Sequence, residues 1–272
     1  MPTGRAFAIV DAFTTPRLFS GNPAGVLLLD EFPETAWMQA VADELHQAET
    51  AFLAPGNRGD YKLRWFTPVA EVALCGHATL ASAHWLWESG NLPNEAPASF
   101  ITRSGRLTAR RTDDRIVLDF PAVPAQRVTA SSELLMALAG TVPLWTGITD
   151  NPDPGERNML AVLESEQTVR DLVPDLRAVE RLPVGGLIVT AKAGPPDGVV
   201  SRYFAPAYGI PEDPVTGSAH CTIGPYWQNQ LGTQLSAEQA SARGGELTVA
   251  MTDDGRVLLS GTARTGVAGF IL

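Results

Sequence analysis

Cys75-Gly76-His77-Ala78-Thr79 and Asp213-Pro214-Val215-Thr216-Gly217-Ser218-Ala219-His220 are the two stretches whose reading decides the fold. Each follows a strand-like run and opens a helical one. The first is preceded by Leu63-Arg64-Trp65-Phe66-Thr67-Pro68, the second by Ser201-Arg202-Tyr203-Phe204-Ala205-Pro206. Both therefore share Arg-aromatic-Phe-x-Pro, a loop, then Gly-x-Ala. The echo extends outward. Arg64 recurs as Arg202, a shift of 138, and Gly76 as Gly217, a shift of 141. Arg103-Ser104-Gly105-Arg106-Leu107-Thr108 lies over Arg243-Gly244-Gly245-Glu246-Leu247-Thr248 at a shift of 140.

Three matches in one order at nearly one shift signal an internal duplication, and its period is too long for a solenoid. The pattern predicts an α+β fold of two pseudo-symmetric domains. Each is a mostly antiparallel, barrel-like sheet around one central helix. The first domain is expected over 1–122 and the second over 123–272, joined by the stiff Pro121-Ala122-Val123-Pro124. The last strand, 265–272, is a candidate to return to the first domain. A duplication of this kind places the ligand site in the cleft between the halves, where pockets commonly form.

The 272 residues carry a formal net charge of -10, with no basic stripe, which argues against a nucleic-acid partner. No apolar run reaches the roughly 20 residues that span a bilayer. The first residues lack a signal-peptide core, and two cysteines, Cys75 and Cys221, make no disulfide framework. The expectation is a cytoplasmic protein with reduced thiols.

Along the chain, Thr14 to Pro23 reads as a loop closing in the turn signal Gly21-Asn22-Pro23, with a strand from Gly25 to Asp30. A helix is expected from about Glu34 to His46, with Pro33 in its first turn. Glu49-Thr50-Ala51-Phe52-Leu53 is a strand that begins on a carboxylate. In the second half, helices are expected around Asp171–Arg181 and from Ser218 to Gln230, the latter bent by Pro225, and the chain closes on the strand Val267–Leu272.

The two copies differ where chemistry would live. Glu49 has no acidic counterpart on the matching strand Gly186–Ala191, His77 becomes Ser218, and Cys75 falls near Asp213–Thr216. The site is therefore expected to be asymmetric, with one principal acid/base. Glu49 has two readings, a solvated strand-end carboxylate or an acid/base whose pKa a closed cleft would raise. Gly76 and Gly217 either permit a tight turn or open helix N-termini whose N–H groups hold a substrate carboxylate or an enolate-like oxygen. His77 is structural, or it bonds the substrate or relays a proton. Asp213 orients a substrate or holds its own loop, and Ser218 caps its helix or touches the ligand. Cys75 is a thiol base or a small buried filler, and Cys221 reads as core. Among His46, Glu49, His77 and His220 only the first two form a local pair, so no metal is expected.

Taken together, Val10-Asp11-Ala12-Phe13 with Gly21-Asn22-Pro23-Ala24, Glu49-Thr50-Ala51-Phe52, Arg64 to Thr79 (RWFTPVAEVALCGHAT) and Glu212 to His220 (EDPVTGSAH) resemble the PhzF-like (phenazine biosynthesis protein) family. That family lies within the diaminopimelate-epimerase-like superfamily. The resemblance implies two barrel-like domains, a site in the cleft, no metal and no organic cofactor, and a homodimer. By the same resemblance Glu49 matches the catalytic acid/base, and His77, Asp213 and Ser218 match supporting residues. Members with a known reaction isomerise a cyclohexadiene acid. Cys75 stands where related epimerases keep one thiol, and the second thiol is missing from the DPVTGSA run. The expected function is a cofactor-independent isomerase that moves a proton between carbons of a small carboxylate-bearing substrate. The alternatives are a one-thiol epimerase using Cys75 with Glu49, and a non-catalytic binding protein on the same fold.

Overall fold

Alternating apolar residues make the first two strands, β1 (Arg5–Ala12) and β2 (Asn22–Leu28), which pair antiparallel with Ala12 opposite Asn22. Gly21 takes a φ of 79°, and a Cβ there would lie 2.4 Å from the Ala12 carbonyl oxygen, so only glycine fits the turn into β2. The structure, a computed structural model, describes residues 4–194 and 198–271. Residues 1–3 and Leu272, the end of the expected final strand, lie outside them. The chain divides into two compact units, Met1–Asp119 with Ser260–Leu272, and Phe120–Leu259.

In the first unit the helix α1 (Thr35–Leu45) carries the chain from β2 to β3 (Glu49–Pro55), which lies parallel to β2 with Glu49 opposite Ala24. Then β4 (Tyr61–Phe66) pairs antiparallel with β3, and β5 (Glu71–Val72) pairs antiparallel with the end of β4. The helix α2 (Gly76–Glu88) leads to β6 (Ala98–Thr102), parallel to β4, and the hairpins β7 (Gly105–Thr112) and β8 (Arg115–Pro121) follow. The chain's last strand, Ala263–Ile271, pairs antiparallel with the whole of β1.

Two faces of this sheet are filled differently. α1 covers Leu27, Phe52 and Phe66 with Met38 and Val41. α2 is buried nearly all round, and its small residues Ala78, Ala81, Ser82 and Ala83 let it pack against β1, β2, β3, β7 and the last strand. Leu80 and Leu86 are fully buried, each worth roughly 1.5–3 kcal/mol of apolar burial. This central helix carries Cys75 at its N-cap and His77 in its first turn.

The second unit repeats the order. β9 (Ala125–Arg127) leads through α3 (Ser132–Ala137), capped by Ser131, to β10 (Trp145–Thr149), which pairs with β9 and with β11 (Asn158–Val162). The short helices α4 (Glu166–Asp171) and α5 (Leu176–Glu180) bring the chain to β12 (Gly186–Ala193), parallel to β11. β13 (Gly198–Ala205) and β14 (Ile210–Asp213) pair antiparallel in turn. The central helix α6 (Gly217–Leu231) crosses to β15 (Gln234–Gln239), parallel to β13, before β16 (Gly245–Met251) and β17 (Arg256–Gly261). In each unit, then, the strand–helix–strand crossover around the central helix joins parallel strands in the same position.

Several local expectations change. β2 begins at Asn22, so the Asn22-Pro23 pair belongs to the strand and only Gly21 to the turn. Pro33 precedes α1, whose N-cap is Glu34, because the missing proline N–H is outside the helix altogether. The helical stretch expected around Asp171–Arg181 is two helices, broken where Leu172 turns extended ahead of Pro174. The expected helix from Ser218 to Gln230 is found as α6, with Pro225 inside it. Pro225 cannot donate to the Cys221 carbonyl, and the Val123 N–H occupies that acceptor at 2.9 Å. The sequence does not mark the strands β5, β9, β10, β14 and β15, their apolar alternation being short or weak.

Candidate functional site

Register places Glu49. It is three residues before Phe52, which faces Arg64 across β3 and β4. In the second unit Val189 faces Arg202, and three residues before Val189 stands Gly186. No side chain replaces the carboxylate there, because the Tyr203 hydroxyl would lie 2.1 Å from a Cβ on Gly186. That hydroxyl donates to Asn158 Oδ1 at 2.9 Å. The asymmetry read from the sequence is therefore built into the packing.

The first unit brings Glu49, Cys75 and His77 together. His77 Nε2 lies 3.2 Å from Glu49 Oε2. On the other side of the ring the Asn22 amide donates to Nδ1 at 3.1 Å. Nδ1 is thus an acceptor, which leaves the ring proton on Nε2, the nitrogen nearer the carboxylate. Burial pushes His77 down to about 3, so the imidazole beside Glu49 is neutral. Cys75 Sγ lies 3.5 Å from Nδ1 and 4.0 Å from Nε2. The Glu49 side chain is 14% exposed against 6% for His77, although its Oε2 is buried. Glu49, Cys75 and His77 offer donor atoms within 4.8 Å of one another, the one group among the described residues with the makings of a metal site.

The second unit brings Asp213, Gly217 and Ser218 together at the start of α6. The helix N-cap is Thr216, not Ser218, and its hydroxyl donates to Asp213 Oδ2 instead of capping. Ser218 sits one residue inside the helix and is exposed, so the expected cap is corrected and the hydroxyl is left at the surface. Asp213 is buried, and the buried Gln239 binds its loop from behind. Gln239 Oε1 accepts from Thr216 N at 2.8 Å, and Nε2 donates to the Asp213 carbonyl at 2.8 Å. His220 adds a third tie, its Nδ1–H donating to the Thr216 carbonyl at 2.8 Å and its Nε2 accepting from Ser201 Oγ at 3.3 Å. Burial holds His220 down to about 4 and pushes the Cys221 thiol up to about 12, which makes that thiol inert core.

Two ion pairs hold the loops that deliver these helix starts. Arg64 grips Glu71 through two bonds of 2.8 Å, and Arg202 grips Glu212 through bonds of 2.7 and 3.0 Å. Each guanidinium also lies over the phenylalanine two residues on, Phe66 at 5.1 Å and Phe204 at 4.9 Å. The arginines were read only as markers of the duplication; the shift of 141 from Glu71 to Glu212 was the signal that would have found their partners. Asn22 was also missed as a site residue, because Gly-Asn-Pro reads as a turn. Neither N-cap residue, Cys75 or Thr216, caps its helix with its side chain, so both first turns present backbone N–H groups of the kind that hold anions. A groove of about 450 Å³ lined by Arg127, Leu144 and Trp145 opens on the second unit and contains none of these residues.

Comparison with known proteins gives the same picture of the fold. The family described as phenazine biosynthesis-like protein matches residues 10–269. An uncharacterized isomerase of Pseudomonas aeruginosa is 48% identical over 267 residues, 97% of each chain. The crystal structure of a phenazine biosynthesis protein PhzF family member from Enterococcus faecalis superposes with a TM-score of 0.91 at 38% identity, over 99% of this chain and 100% of that one. A protein described as a predicted epimerase, from Pseudomonas aeruginosa, shares the fold at a TM-score of 0.73 and 21% identity, over 98% of this chain and 99% of that one.

Proposed function

The chain belongs to the phenazine biosynthesis-like protein family, and we propose that it is an isomerase in which Glu49 moves a proton between two carbons of a small carboxylate-bearing molecule. The observation that carries this reading is the placing of a neutral, buried imidazole, tied to Asn22, 3.2 Å from the Glu49 carboxylate. Glu49 takes the proton from a carbon next to a carboxylate or a conjugated system, and the C–H electron pair spreads into that system. The protonated Glu49 then returns the proton at another carbon. Throughout, His77 holds the carboxylate in one orientation and withdraws no proton. The step needs neither metal nor organic cofactor, since base, proton and charge-holding amides are all on the chain. Asp213, Ser218 and the amides near Gly76 and Gly217 are assigned to holding the substrate, the two side chains by the family resemblance and the amides by the sequence repeat.

The test is deuterium incorporation from D2O into a panel of unsaturated cyclic and open-chain carboxylic acids. Wild type is expected to exchange at least one substrate, and Glu49→Gln to be about 10²–10⁴-fold slower. Equal exchange by the variant removes Glu49 as the base. A second reading, a one-thiol epimerase, is favoured by the 3.5 Å approach of Cys75 Sγ to His77. Cys75→Ala decides between them: undiminished exchange leaves the thiol out of the reaction.

A further inference from the structure

We infer that Gln239 is a positioning residue for the second unit's part of the site: its amide fixes where Asp213 and the first turn of α6 stand, and so sets how tightly a carboxylate-bearing ligand is held there. The inference rests on the reading of Asp213 and the α6 start as ligand-holding groups. Gln239 ends β15, opposite Gly245 on β16, and is fully buried. Its carbonyl oxygen accepts from Thr216 N at 2.8 Å. Its amide nitrogen donates to the Asp213 carbonyl at 2.8 Å and to Thr216 Oγ1 at 3.2 Å. A threonine hydroxyl has one proton to give. With Gln239 donating to Oγ1, that proton goes to Asp213 Oδ2 and orients the carboxylate. Two residues after Gln239, Ser241 Oγ donates to the Pro214 carbonyl at 2.8 Å and accepts from Gly244 N at 3.0 Å. The segment from 239 to 244 therefore grips Asp213, Pro214 and Thr216 from one side.

The first unit shows that the turn itself does not need this amide. Glu71 to Gly76 is as long as Glu212 to Gly217, at a shift of 141 throughout. Within it Asp213 corresponds to Val72, which has no carboxylate to place. Register gives the counterpart of Gln239. Gln239 faces Gly245, and Thr102 faces Gly105, 140 residues before Gly245. Thr102 Oγ1 donates to the Gly105 carbonyl at 2.7 Å, inside its own hairpin. The serine bond, by contrast, is common to both units. Ser104 Oγ donates to the Ala73 carbonyl at 2.7 Å, and Ala73 corresponds to Pro214. The two serines do not correspond, yet they hold the same carbonyl, so that bond serves the turn. The amide accompanies the acid: Gln239 and Asp213 occur in one unit, Thr102 and Val72 in the other. Locking a functional side chain through a buried neighbour is how a site keeps its geometry.

The test titrates the nitrogen-15-labelled full chain with the same panel of carboxylic acids and reads affinity from the Ser218 amide shift, which needs no turnover. Gln239→Met keeps the side-chain length and loses the bonds, and should weaken binding about 10–100-fold. In the same variant the Thr216 amide should exchange with solvent about 10–100-fold faster, while Ile223, buried in the middle of α6, keeps its rate. Gln239→Glu retains the acceptor for Thr216 N–H and lacks the donors. It should keep the Thr216 rate and still weaken binding. Thr102→Val should change neither. Circular dichroism checks folding, and Gln239→Glu carries the test alone if Gln239→Met does not fold. Thr216 and Ile223 accelerating together would mean general loss of stability and would overturn the inference. So would undiminished binding by the Gln239 variants, or a wild type whose Ser218 amide responds to no acid. Equal deuterium exchange by wild type and Glu49→Gln removes the base and leaves Gln239 in its role.

Discussion

Asn22 decides which nitrogen of His77 carries the proton, and through it what Glu49 meets. Its amide donates to Nδ1, so the ring proton is on Nε2, the nitrogen nearer the carboxylate. Asn22→Asp keeps the shape and reverses the polarity. The new carboxylate accepts from Nδ1–H, Nε2 becomes an acceptor, and Glu49 can satisfy it only by keeping its own proton. Exchange into substrate should then fall about 10²–10⁴-fold, as for loss of a general base. Nitrogen-15 shifts of the His77 ring should report the changed tautomer, a signal that simple destabilisation does not produce. A variant with native exchange and the native tautomer sinks this account of Asn22. At this scale Glu49, Cys75 and His77 were legible, because a carboxylate opening an apolar strand and a Gly-flanked helix start stand out. Asn22 was not, since Gly-Asn-Pro has turn chemistry whether or not the asparagine side chain has work elsewhere.

The two central helices begin alike and are anchored differently. In α2 the Cys75 carbonyl is taken by Thr79, through its hydroxyl at 2.5 Å and its amide at 3.2 Å. In α6 the same role falls to His220, 141 residues after Thr79, with its imidazole in place of the hydroxyl. That exchange makes the second helix start sensitive to acid. His220 is held down to about 4 by burial, so the unfolded chain binds its proton more readily. The stability it contributes is complete above about pH 6.5 and is lost as pH falls towards 4, in total roughly 3 kcal/mol. Urea unfolding measured from pH 7 down to pH 4 should lose stability along a steeper line in wild type than in His220→Asn. Identical slopes would mean that His220 is not the group titrating. The repeated helix starts were readable because Gly-x-Ala recurs after Arg-aromatic-Phe. β10 and β15 were not. Trp145–Thr149 is interrupted by Gly147, whose Cβ would collide with the Trp145 ring, and Gln234–Gln239 buries only Leu235, Ala237 and Gln239.

At the scale of the molecule the duplication governs connectivity. The eight strands from β1 to β8 have the same neighbours as the eight from β10 to β17 wherever pairing is described, and each set is followed by one more strand. After β8 that strand is β9, which pairs with β10 of the second unit; after β17 it is Ala263–Ile271, which pairs with β1 of the first. The sequence repeat announces two similar halves, but periodicity alone does not say with which half a ninth strand pairs, since its inward residues are few. The last strand is mostly exposed, and Phe270 is 66% exposed, so its contribution is less apolar burial than cover for the edge of β1. β1 carries Ala8, Val10 and Ala12, all fully buried against the central helix side of the unit, and its ladder to the last strand runs from Arg5 to Ala12. A chain ended at Thr262 should therefore open that edge. It is expected to show a lower urea midpoint and to associate at micromolar concentration, where the full chain does not change its state through this edge. Light scattering and urea titration at two protein concentrations measure both effects. If the shortened chain kept the full midpoint and the full chain's scattering, the last strand would be an appendage and β1 a self-sufficient edge, and the exchange of ninth strands would carry no energetic weight.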